Sequence, residues 1–163
     1  MIVADSRSGP SGRGNGPKVA GMDADPFDLQ RFVDAQARVH ADALAELRAA
    51  RKRTHWMWFV FPQLAALGRT GTAKHYGLSG LDEARAYLRH PVLGARLREC
   101  CDALLHNGAS DPHAVMGSPD DLKLRSCMTL FAAAGPHDAV FRDVLQRYYG
   151  GEPDPLTTAL LKG

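Results

Sequence analysis

The stretch Arg51-Lys52-Arg53-Thr54-His55-Trp56-Met57-Trp58-Phe59-Val60-Phe61-Pro62-Gln63 sets both tryptophans of the chain beside three consecutive cations. That pairing suits an anionic planar ligand: ammonium and guanidinium groups neutralise phosphate or carboxylate, and an indole stacks on a flat ring. The cations also have a plainer use, because positive side chains at a helix C-terminus complement its dipole while remaining solvated. On a helix Trp56 and Trp58 would point about 200° apart, so core packing is expected for at least one. An exposed indole beside Gln63 would be a stacking or interface residue.

Other chemistry-bearing residues are scattered. Histidine as a type titrates near neutrality, so His55 and His75 suit acid, base or anion-contact roles, although the plainer role for each is to bond a helix end. No nucleophile or metal partner stands at recognisable spacing from them. Lys123, Arg125 and Ser126 interleave with Leu122, Leu124 and Cys127, as on any amphipathic helix. Long basic side chains beside an apolar stripe also reach over a pocket mouth, with Asp120 and Asp121 as ion-pair partners. Gln36 and His40 fall on an apolar stripe, where a polar group finds a partner or costs about 1 to 3 kcal/mol; both are expected as buried hydrogen-bonding struts. The ligand-binding candidates are therefore His55, Trp58, Gln63, His75, Tyr76, Lys123 and Arg125. No phosphate loop, dinucleotide fingerprint, zinc-binding His pair or nucleophile elbow is present, so no catalytic residue, cofactor or metal is assigned.

Helices must carry these residues. Asp25-Pro26 reads as a helix start, with Asp as N-cap and Pro at the first helical position. Leu29, Phe32, Val33, Gln36, His40, Ala43, Leu44 and Leu47 follow at three- and four-residue steps, the face of one helix or of two consecutive ones. Thr54 to Phe61 is apolar on every side, and periodicity alone does not separate buried helix from buried strand there. Ser79 to Arg89 predicts a short helix, Pro91 opens another that runs to Asn107-Gly108, and Ser118-Pro119-Asp120-Asp121 is a further capped start. Gly135-Pro136 and Gly150-Gly151 end two more, and Asp154-Pro155 caps a terminal turn. About seven helices with short loops and no alternating strand pattern predict an all-α array.

Several of these blocks together carry a resemblance. His55-Trp56-Met57-Trp58-Phe59, Asp25-Pro26-Phe27-Asp28-Leu29, His75-Tyr76-Gly77, Glu83-Ala84-Arg85-Ala86-Tyr87-Leu88, Asp120 to Phe131 and Tyr148-Tyr149-Gly150-Gly151 resemble the bacterial family known as domain of unknown function 1810. The likeness covers residues 25 to 161. It implies an all-helical fold and a helical state for the apolar segment after Thr54, and it brings no established activity. Two positions depart from the family pattern, which often has Pro where Ala37 stands and Gly where Ala50 stands; a softer break and cap in the first helical stretch are expected.

Of 163 residues, 20 are basic and 18 acidic, for a net charge of +2. That field is too weak to argue for nonspecific nucleic-acid or membrane binding, so any cationic site is local. Hydrophobic residues at 45% and charged residues at 23% match an ordinary globular domain. Cys100, Cys101 and Cys127 lack metal spacing, and the sequence predicts three reduced, packed thiols. Residues 1 to 24, rich in Gly, Ser, Pro and Arg, are expected as a disordered tail before a domain over 25 to 163, with Met22 an alternative start. The absence of a leader or membrane stretch makes the cytoplasm the default compartment. Two functions fit: binding or processing of an anionic, nucleotide-like small molecule at an aromatic and cationic pocket, or a noncatalytic module that docks another protein on its helical face.

Overall fold

Apolar residues spaced by three and four become helix throughout the computed structural model, which describes residues 24–162. The expected tail, apart from Ala24, and the alternative start at Met22 lie outside those residues. Ten α-helices form among the described residues: α1 Gln30–Gln36, α2 His40–Arg48, α3 Met57–Val60, α4 Gly71–His75, α5 Leu81–Arg89, α6 Leu93–His106, α7 Pro112–Met116, α8 Asp120–Ala134, α9 Val140–Tyr149 and α10 Pro155–Lys162. A single 3-10 turn spans Ala65–Leu67. The class is all-α, as expected, while the count exceeds seven. The additional helices α3, α4 and α7 have four or five residues, too few for a 3.6-residue period to register.

The described residues fall into two compact units, 24–30 and 31–162. In the first, the Asp25 carboxylate accepts from the backbone N–H of Leu29 at 2.7 Å and of Gln30 at 2.9 Å. Asp25 thus caps a turn, and α1 begins four residues later than the Asp-Pro signal predicts. Asp28 accounts for the delay, since its φ of 52° is left-handed and outside a helix.

In the second unit α8 is central, packing on α5, α7, α9 and α10. Leu124, Cys127, Met128, Leu130 and Phe131 are fully buried along it. Its buried hydroxyls bond within the helix, Ser126 Oγ to the Leu122 carbonyl and Thr129 Oγ1 to that of Arg125. An aromatic ladder runs from Phe32 to Tyr87 (5.2 Å between centroids), Phe131 (5.3 Å) and Phe141 (5.7 Å). Each such ring buries apolar surface worth about 2 to 3 kcal/mol. Gln36 is the buried strut the sequence predicts: its Nε2 donates to the Phe59 carbonyl at 2.6 Å and to the Tyr87 hydroxyl at 3.0 Å. His40 is less buried; Nε2 meets Glu99 at 3.0 Å, and Nδ1 has no partner among the described residues. The three thiols are free and buried, and burial pushes Cys100 up to about 12.

Helix ends follow the sequence in most places. Gly150 is left-handed at φ 61° after α9, and Asp154 Oδ2 accepts from Thr157 N–H at 2.8 Å to cap α10. Ser118 does not cap α8; Pro119 occupies the N-cap without a side-chain bond. Ala50, where the resembling family often has Gly, has a φ of 59°, a left-handed conformation that costs a residue with a Cβ about 1 kcal/mol.

Candidate functional site

Glu46 organises the approach to the site. Its carboxylate accepts from the backbone N–H of Arg53 and Thr54, the Thr54 hydroxyl at 2.6 Å and the Trp56 indole at 3.0 Å. Burial pushes the acid up, but those hydrogen bonds outweigh it and hold it at about 2. The segment after α2 is therefore pinned at its backbone, and fully buried Trp56 anchors it in the core.

Lys52, expected as a solvated cation, is instead nearly buried. Its Nζ lies 3.0 Å from Asp120 Oδ2, donates to the Thr54 carbonyl at 2.6 Å and sits 4.9 Å from the centroid of the Trp56 ring. It is consumed by structure because α7 and the start of α8 close over it: Lys52 N–H donates to the Val115 carbonyl at 2.7 Å. Arg51 and Arg53 remain exposed. The other Asp120 oxygen lies 3.9 Å from Lys123 Nζ, and that ammonium sits 5.7 Å from the Trp58 ring centroid.

The apolar segment 54–61 contributes only one helical turn, α3, shorter than the family resemblance implies. Trp58 emerges from it half-buried. Beyond Pro62 the chain pairs with the segment after α4: Ala65 N–H donates to the Leu78 carbonyl at 2.8 Å and Leu78 N–H to that of Gln63 at 2.9 Å. Gly77 permits this approach, since a Cβ there would stand 2.3 Å from Ala65 Cα. Arg31 tethers the same segment from α1, donating to the carbonyls of His75 and Gly77 and pairing with Glu83 at 3.0 Å.

A cleft of about 480 Å³ results. Trp58, Gln63, Leu67, Arg69, Thr70 and Ala73 form one side; Pro119 at the N-cap of α8, Leu122, Lys123 and Ser126 from α8 itself, and Asp154 and Leu156 around the start of α10 form the other. Tyr76, with Met57 and Phe61, lines a narrower crevice that shares Trp58, Gln63 and Lys123 with it. Of the sequence candidates, Trp58, Gln63, Tyr76 and Lys123 come together here.

His55, His75 and Arg125 do not line it. His55 and His75 are exposed, the latter edge-on to Tyr76 at 4.6 Å. Arg125 turns along α8 to donate to the Glu152 carbonyl at 2.9 Å and lies over the Tyr149 ring at 5.9 Å. Arg69 and Asp154 were not singled out by spacing, because they reach the cleft through the 64–78 loop and the last helix rather than through a shared period. The Asp154 carboxylate is occupied in capping, accepting Thr157 N–H and its hydroxyl at 2.6 Å. Arg69 forms no ion pair among the described residues. No histidine or cysteine lines this cleft, so it offers shape, an aromatic face and cationic donors more than proton transfer.

The chain belongs to the family described as protein of unknown function DUF1810, whose model matches residues 26–161. Among solved structures it is similar to the conserved hypothetical protein Rv1873 from Mycobacterium tuberculosis, with 52% identity and a TM-score of 0.83 over 85% of this chain and 99% of that one. No curated protein matches it. Among the described residues, no helix is long and apolar enough to cross a membrane, and no group of three or more His, Cys, Asp or Glu side chains is placed to hold a metal ion.

Proposed function

We propose that the cleft beside Trp58 binds a small anionic molecule with a planar, nucleotide-like portion. The observation that carries this reading is the half-buried indole with the Lys123 ammonium 5.7 Å from its ring centroid, inside a cleft of ligand size. A flat ring entering against Trp58 gains stacking of about 1 to 3 kcal/mol. Lys123 holds only a loose 3.9 Å contact with Asp120, so its donors turn readily to phosphate or carboxylate. Arg69 adds a second cation, and the Gln63 amide supplies a donor and an acceptor for the edge of the ring.

A thermal-shift screen of the full chain against nucleotides, dinucleotides, sugar phosphates and organic acids tests it. Planar anions are expected to raise the melting temperature more than sugar phosphates do, and Lys123→Ala is expected to weaken the response about tenfold or more. A blank screen, or a response that Lys123→Ala leaves intact, contradicts the proposal.

One observation favours a second reading, a noncatalytic protein-docking face. Leu122, Leu156 and Leu160 are 60%, 66% and 45% exposed, and two of them rim the same cleft. Replacing Leu122 and Leu156 with Asp would abolish a partner or self-association seen by sedimentation, while a small-molecule response that survives the change favours the first reading.

A further inference from the structure

A second cleft, of about 490 Å³, lies where α5, α6 and the α8–α9 loop meet. Lys123 and Ala134 are 11 positions apart on α8, about 16 Å of helix, so the two clefts occupy opposite ends of that element. We propose that this second cleft binds a small phosphorylated compound through its phosphate, with Arg85, Arg89 and Arg98 as the binding residues.

Arg85 and Arg89 project one turn apart from α5, and Arg98 reaches in from α6. Local carboxylates leave this charge only partly balanced. Arg85 meets Asp82 at 3.4 Å, and that carboxylate is 88% exposed, so the pair contributes little. Arg98 is held at 2.5 Å by Asp138 and donates to the Leu88 carbonyl, which fixes one guanidinium as part of the wall. The Arg89 side chain forms no ion pair or hydrogen bond among the described residues. Adjacent guanidinium forks match the oxygens of a phosphate or diphosphate in a way that scattered lysines do not. Leu88, Pro136 and neighbouring alanines give the organic portion an apolar surface, and His137 and Asp138 complete the lining. This site stands independently of the Trp58 cleft.

Titration of the full chain with pyrophosphate, followed by backbone and indole N–H resonances at constant ionic strength, is the test. Saturable shifts are expected in residues 134–139, with the Trp58 indole unmoved. Affinity is expected to fall about tenfold in Arg89→Ala and to fall measurably in Arg89→Lys. Shifts no larger than those from equimolar sulfate, or an affinity that Arg89→Ala leaves intact, overturn the proposal. A single-stranded oligonucleotide binding the same residues at least about tenfold more tightly than pyrophosphate overturns the small-compound assignment.

Discussion

The two clefts at the ends of α8 are built on opposite plans. Around Trp58 the walls are set by backbone: the Leu64–Leu78 bridge, the contact of Gly77 with Ala65, and the Glu46 carboxylate holding the N–H groups of Arg53 and Thr54. Around Arg89 they are set by side chains: the Arg98–Asp138 pair and Leu88 against Gly135. Backbone-defined walls hold an aromatic face at fixed spacing and select shape, whereas side-chain walls adjust and select charge. The two surfaces, both cationic, thus differ first in rigidity.

The comparison breaks most sharply at its glycines. Gly77→Ala places a methyl 2.3 Å from Ala65 Cα, and backbone there cannot turn aside. A loss of about 3 kcal/mol is expected, read as a lower denaturation midpoint, together with displaced resonances at Gln63 and Trp58.

Removing the Glu46 acceptor comes next. Glu46→Ala leaves the Trp56 indole and two backbone N–H groups without their partner, and a loss of about 2 kcal/mol is expected by chemical denaturation. The sign of its pH dependence follows from its depressed acidity: the folded value of about 2 lies below the ordinary 4.5. The stabilisation is fully present above about pH 4.5 and is lost as pH falls toward 2. Glu46→Gln is expected to flatten the wild-type loss of stability across that window; an unchanged slope would remove Glu46 as its source.

The smallest effect belongs to the adjustable cleft. Gly135→Ala is crowded by the Leu88 Cδ1 methyl at 2.8 Å, the end of a side chain that rotates away, while the Phe131 carbonyl at 3.6 Å and Asp138 Cβ at 3.7 Å lie at ordinary contact distances. A cost of about 1 kcal/mol or less is expected, with resonances changing near Arg98 and Asp138 and not near Trp58. A loss equal to that of Gly77→Ala would erase the distinction between the two walls.

Sequence reading reached the elements whose length exceeds two turns. The stripes of α5, α6, α8 and α9, the Gly150 stop and the Asp154 cap all obey local rules of spacing and capping. The short α3, α4 and α7 lie below the resolution of periodicity, and Asp28 delays α1 through a backbone angle that its identity permits without requiring. At the Trp58 cleft, Trp58, Gln63, Tyr76 and Lys123 were legible because they stand in three characteristic blocks, 51–63, 75–77 and 120–131. Arg69 and Asp154 were not, since only the pairing of Leu64 with Leu78 and the return of α10 to α8 bring them in. Arg125 misled for a related reason: on α8 it sits two positions beyond Lys123, about 200° around the helix. The arginines of the second cleft stand on α5 and α6, and only tertiary packing joins them.

The most direct test of the Trp58 assignment uses the two indoles of the chain as internal controls for each other. A proton–nitrogen correlation spectrum of the full chain, titrated with a nucleoside monophosphate, reports Trp56 and Trp58 separately. A saturable shift of the Trp58 indole resonance is expected, with little change at buried Trp56 and loss of the response in Lys123→Ala. Equal shifts at both indoles, or a Trp58 response that Lys123→Ala leaves unaltered, would contradict it.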